Sequence, residues 1–217
     1  VTQRMKEIAR TIVDLQAELD REIEHRRRAL GVRVHDRLVE FERGIVIEQR
    51  KLKTSVRAFL ARSSFGAIIT APVIYSMLLP LVLLDIWISV YQAVCFRAYG
   101  IARVERRDYI AFDRGRLAYL NWVEALNCGY CAYANGVIAY AREIGSRTEQ
   151  YWCPIKHALK ISDPHQRYYE FLEFGDAEGY RTRLAAFRAL LAADGDDIAK
   201  GTRAASPRPE AEERASP

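Results

Sequence analysis

Cysteine is scarce in this chain. Four in 217 residues are too few, over too long a chain, for a disulfide-dense secreted scaffold. With 12 Gly, 7 Pro, 28% charged and 50% hydrophobic residues, the composition is neither fibrous nor that of a wholly disordered chain. No internal repeat is present, and no RNA- or DNA-binding motif. The first 60 residues are charged and contain no apolar core with a small-residue cleavage site, so a cleavable signal peptide is not expected there. The most informative absence is local: between Arg62 and Arg97, Asp85 is the only charge in 34 residues. The length allows one ordinary domain, or a small one with long appendages.

The charges that remain flank this gap. Residues 1–62 carry 15 Lys+Arg against 10 Asp+Glu, and residues 97–162 carry 10 against 6. Residues 163–217 reverse the balance, with 8 against 11. Basic flanks around an apolar run point to anionic lipid headgroups rather than to nucleic acid.

Residues 3–62 are predicted helical. Met5, Ile8, Ile12, Leu15 and Leu19 recur at spacings of three and four, as do Val34, Leu38, Phe41, Ile45, Leu52, Val56 and Leu60. The first set fits alternating seam positions of a coiled coil, but its continuation places Glu22 and Arg26 in the seam. Gly31 and Gly44 are the expected bends. Helical segments packing on one another or on a second copy fit better than a single rod. The Glu24–Arg28 run, with His25, reads as a solvated helix face, and His35 as a surface histidine.

Phe65 to Leu84 is 20 uncharged residues rich in Ile, Leu, Val and Ala, with apolar residues on every helical face. About 20 residues at 1.5 Å each match a hydrocarbon core of about 30 Å. Membrane embedding is therefore expected, in one of two forms. In the first, residues 65–84 cross the bilayer and Trp87 and Tyr91 form an interfacial belt. In the second, Pro72 and Pro80 break the run into a re-entrant hairpin with both ends on one side. Six Lys+Arg in the 20 residues before position 63, and six in the 20 after position 96, favour the hairpin with both flanks cytoplasmic. Asp85 would lie at headgroup depth or pair across an interface.

Beyond Arg97 a helical domain is predicted. Tyr109–Leu126 and the stretch from Tyr130 to Ile144 each show a helical apolar face. Between and after them stand Cys128-Gly-Tyr-Cys131 and Cys153-Pro-Ile-Lys-His157, a C-x2-C-x21-C-x3-H spacing. Three thiolates and one imidazole make a tetrahedral zinc set of Cys128, Cys131, Cys153 and His157. Cys153 and His157 would share one helical turn, opened by Pro154. An iron–sulfur cluster is less favoured, since its fourth thiolate would have to be Cys95. Two alternatives stay open: Cys128 and Cys131 as a redox dithiol near a helix N-terminus, or buried unligated cysteines. A Cys153–His157 nucleophile–base pair lacks an orienting third group. The surrounding Tyr and Trp residues suit a core or a headgroup-level surface.

Further on, Tyr168–Phe174 and Asp176–Ala193 are predicted helices, the second capped by Asp176. His165 follows Pro164 in a turn. The Ala/Ser/Pro/Glu-rich end after Asp194 is predicted disordered. The stretch NWVEALNCGYCAYANGVIAYAREIGSRTEQYWCPIKH, residues 121–157, resembles a family of bacterial membrane-associated proteins with no known activity. That resemblance covers about a sixth of the chain and implies a bacterial source.

Together these features predict an all-α protein. A charged amphipathic arm occupies 1–62, a membrane-embedded segment 63–96, a helical domain with the Cys/His constellation 97–193, and a disordered tail 194–217. The expected function is a bacterial inner-membrane interaction or scaffold protein with a structural Cys3His zinc site, its partners the lipid bilayer, its anionic headgroups and further copies of itself. The competing expectation is a membrane-bound thiol–disulfide redox protein using Cys128 and Cys131.

Overall fold

A computed structural model describes residues 3–35, 38–41 and 43–199. The fold is all-α, with one short β-hairpin among the described residues. Helix α1 (Gln3–Ala29) has no interior Gly or Pro, and Glu22–Arg26 and Glu24–Arg28 pair along it at 3.1 and 3.3 Å. Arg26, Arg27 and Arg28 occupy its last turn, where cations complement the helix dipole. Gly31, at φ 65°, stops it in a left-handed conformation that a side chain would strain.

The helix predicted to continue from there is instead an antiparallel pair, β1 (Val32–His35) and β2 (Leu38–Phe41), with Val34 opposite Val39. The same apolar residues satisfy a period of two as well as a helical one. The β-branched Val32, Val34 and Val39 tip that balance towards strand. Helices α2 (Arg43–Lys51) and α3 (Val56–Arg62) complete the arm; Gly44 lies inside α2, and Ser55 caps α3.

From Phe65 to Tyr99 the backbone is helical: α4 (Phe65–Ser76), α5 (Leu78–Tyr91), a π-turn over Gln92–Phe96, and a closing turn α6 (Arg97–Tyr99). The reversal at Pro80 that a re-entrant hairpin requires is not made. Met77, between α4 and α5, keeps right-handed helical angles, and its N–H reaches the Ile74 carbonyl. Pro80 is the third residue of α5, where a missing N–H is tolerated. These 35 residues make a helical path of about 52 Å.

The chain forms two compact units. The first comprises Glu7–Trp87 and Glu105–Ala141. The helix predicted over Tyr109–Leu126 is not formed in it: the chain makes 3-10 turns at Arg106–Asp108 and Arg114–Arg116. Helix α7 (Trp122–Trp152) begins only after Asn121. The Asn121 side chain accepts from the Val123 and Glu124 N–H groups at 3.0 Å, and Glu124 accepts in return from the Asn121 N–H at 2.9 Å, a reciprocal cap. Leu81, Ile110, Val137 and Tyr140 are buried in this unit. Gly136 lets the Tyr109–Ile110 backbone press onto α7, since a Cβ there would stand 2.7 Å from the Tyr109 carbonyl oxygen.

The second unit contains Ile88–Val104 and residues 142–199. The buried Gln92 side chain bonds both the N–H and the C=O of Val104, at 3.0 and 3.2 Å, closing the loop that leaves α6 through Gly100. Phe171, Leu172 and Phe187 form a core with Tyr168 and Tyr180 against it. The predicted helix at 168–174 is a shorter 3-10 turn, Gln166–Glu170. Asp176 caps α8 (Ala177–Ala199) as expected, accepting from the Gly179 N–H at 2.8 Å. Helix α8 takes in the first six residues of the predicted disordered tail; residues 200–217 lie outside the described residues.

Candidate functional site

The polarity of the apolar helix is inverted relative to that of a water-soluble one. Along α4 and α5, Ile69, Val73, Leu79 and Leu83 are 57–69% exposed. The positions that turn inward include Tyr75 and Asp85, and in the second unit Gln92. A helix on a water-facing surface hides its apolar stripe and shows its charges; this one does the opposite.

Asp85 is the centre of the first unit's polar cluster. Arg106 grips it with both sides of its guanidinium, Nε to Oδ1 at 2.9 Å and Nη2 to Oδ2 at 2.6 Å, and the Tyr133 hydroxyl donates to Oδ2 at 3.0 Å. Its side chain is 10% exposed and that of Arg106 45%. The carboxylate expected at headgroup depth or across an interface is therefore neutralised within its own unit. Two further links join α4 to α7: the Tyr75 hydroxyl donates to the Asn127 side chain, and the Tyr130 hydroxyl donates to the Ile74 carbonyl at 2.8 Å. With both its oxygens engaged, Asp85 fastens helices together rather than serving as a reactive base.

A second polar cluster lies in the second unit. Glu143 accepts from Arg147 at 2.9 Å and from Arg167 at 3.1 Å. Arg147 also donates to the Ala102 carbonyl at 2.7 Å, and Arg167 to the Gln150 side chain at 3.0 Å. Gln150 in turn donates to the Phe187 carbonyl at 2.9 Å. Burial pushes the Glu143 carboxyl up, but Arg167 and Arg147 outweigh it and hold it below the ordinary carboxylate range. His165 stands beside it: Nδ1 accepts from the Tyr168 N–H, so Nε2, 2.8 Å from Glu149, carries the donated proton. The helical spacing of Glu143 and Arg147 was the one legible signal for this cluster. Nothing in the sequence marked Arg106 as partner of Asp85, or Arg167 as partner of Glu143.

The four residues predicted to ligate zinc are dispersed. The spacing required a helix to leave Cys131 and return at Cys153. Instead α7 runs unbroken from Trp122 to Trp152, so the returning chain that the spacing implied is not formed. Cys153 and His157 do not share a helical turn either. The helix ends at Trp152, and the following stretch is extended, with Ile155 bridged to Leu172. The His157 ring stacks on Tyr168 instead. Burial and then Glu149 push the Cys153 thiol up, away from the thiolate a metal needs. Among the described residues no three His, Cys, Asp or Glu side chains are grouped to hold a metal ion, so neither zinc nor an iron–sulfur cluster drawing on Cys95 finds support. Cys128, half-buried, and Cys131, exposed, are free thiols. Cys128 is the seventh residue of α7, beyond the first turn in which a helix N-terminus acts on a thiol.

No family model, curated protein or solved structure matches the chain.

Proposed function

We propose that this protein is a membrane-anchored interaction protein, held in lipid by the Phe65–Tyr99 helix and assembled with copies of itself through α1. The observation that carries the anchoring is the inverted polarity of that helix: apolar residues outward, the carboxylate inward and paired. Water would have to solvate the exposed Phe65, Val73, Leu79 and Trp87; acyl chains remove that cost. The basic residues on either side provide the headgroup contacts. Six Lys+Arg on each flank support both flanks lying on the cytoplasmic face of a bacterial inner membrane, which an unreversed helix meets by lying embedded in that face rather than crossing it. The exposed Arg114 and Arg116, in the same unit as the apolar helix, favour an embedding from that face over hydrocarbon on all sides. Metal chemistry does not enter this reading, since no group of three His, Cys, Asp or Glu among the described residues supports it.

The test is fractionation of bacteria expressing the chain. The protein stays with the membrane pellet through an alkaline carbonate wash, and protease added outside spheroplasts leaves the regions on both sides of the helix intact. Release by carbonate would overturn the anchoring, and cleavage of the C-terminal region from outside would overturn the same-side placement.

A further inference from the structure

The Phe65–Tyr99 helix is not the only charge-poor stretch: from Leu117 to Ala141, Glu124 is the single charge in 25 residues, and it is engaged with the Asn121 N–H at the start of α7. We infer that the Trp122–Ala141 part of α7 is a second lipid-facing element, whose Trp122, Leu126 and Ile138 meet acyl chains. The inference rests on the membrane reading above and extends it to a helix that reading does not use.

Four observations carry it. First, Trp122, Leu126 and Ile138 are 53–68% exposed, while Gly136, Val137 and Tyr140 of the same stretch are buried. None of the exposed residues of this stretch is charged, and the one exposed amide, Asn135, donates back to the Cys131 carbonyl of its own helix. Second, charge returns abruptly at Arg142 on the same unbroken helix, followed by Glu143, Arg147 and Glu149. Arg142 itself is exposed, a cation placed where the apolar stretch ends. Third, α7 is bonded to the apolar helix within the first unit, through Tyr75–Asn127, Tyr130–Ile74 and Tyr133–Asp85, so these polar groups are satisfied inside the unit and leave no bare polar group at its apolar surface. Fourth, the run is bounded by exposed arginines, Arg114 and Arg116 before and Arg142 after, and by Tyr119 and Trp122, the pairing of cation and aromatic that suits anionic headgroups.

The chain has three tryptophans, which makes the test direct. Full-length protein is reconstituted into vesicles containing phosphatidylglycerol, with and without brominated acyl chains, as W122F/W152F (retaining Trp87) and as W87F/W152F (retaining Trp122). Both Trp87 and Trp122 lose emission to bromine, and to a similar extent. Quenching of Trp87 with Trp122 untouched overturns the inference alone, whether water or a second copy covers that face. Absence of quenching at Trp87 overturns the membrane reading itself. Ile138→Trp in a background lacking the native tryptophans gives an independent probe at a second exposed position of the same stretch, with quenching expected again.

Discussion

Asp85 has its charge met by one guanidinium and one phenol, and that arrangement fixes what substitution should do. Breaking a buried ion pair by removing one partner costs about 3–5 kcal/mol, and the partial exposure of Arg106 lowers the expectation here to about 1–3 kcal/mol. Asp85→Ala and Arg106→Ala should each lower the melting temperature of detergent-solubilised protein, and the double variant should lose less than the sum, with a coupling of about 1–2 kcal/mol. Strict additivity would mean the pair is not formed. Glu143 gives a pH signature. Its folded carboxyl lies below its unfolded value, so its contribution is present above about pH 4.3 and fades as pH falls through the folded value. The stability gap between the native chain and Glu143→Gln, measured by thermal unfolding, should be constant from pH 6 to 7 and shrink towards about pH 3. A gap that widens in acid would contradict the two-arginine clamp.

Among the elements, composition made the apolar helix legible, because a run of 34 residues with one charge has few other uses. The capping of α8 by Asp176 was legible for the same local reason: the acceptor lies three residues from its donor. What stayed hidden depends on distance. The C-x2-C-x21-C-x3-H spacing suggested a returning chain, yet residues 130–144 carry the same helical pattern whether the helix ends there or runs on to Trp152. Asn127 is bonded to Tyr75, and the helix continues through it and Gly129. The arm misled for a different reason, since Val32 to Phe41 satisfies two periods at once. Helix α7 also separates two glycines of one sequence type. A Cβ at Gly136 would meet the Tyr109 carbonyl at 2.7 Å and Ile110 Cγ1 at 2.8 Å, while Gly129 has nothing within 4 Å. Gly136→Ala should therefore destabilise by about 1–3 kcal/mol. Gly129→Ala should raise stability by up to about 1 kcal/mol through helix propensity alone. Differential scanning of both variants checks the contrast, and equal effects would argue against the close approach of the 109–110 backbone.

For the molecule as a whole, the unanswered surface is on α1. Ile8, Ile12, Leu15, Leu19 and Ile23 form a stripe that is 38–59% exposed along a helix of 27 residues. Lipid suits it poorly, because the other faces of α1 are charged along their full length. A second α1 suits it well: the three-and-four spacing from Ile8 to Leu19 is the seam of a short coiled coil. Glu22 and Arg26, which interrupt that seam, bond each other within one helix at 3.1 Å, leaving the seam to end at Leu19. Anchoring in a bilayer favours the association further by confining the copies to one surface and raising their effective concentration. The expected outcome is an oligomeric mass in mild detergent by light scattering, reduced to the monomer in L15E/L19E, with α-helical content nearly unchanged. The same variant should remain in the carbonate-resistant membrane pellet, since α1 and the apolar helix perform separate tasks. A monomeric mass for the unsubstituted chain would leave the stripe without a partner of its own kind and remove self-association from the proposed function, while the anchoring by Phe65–Tyr99 would stand on its own evidence.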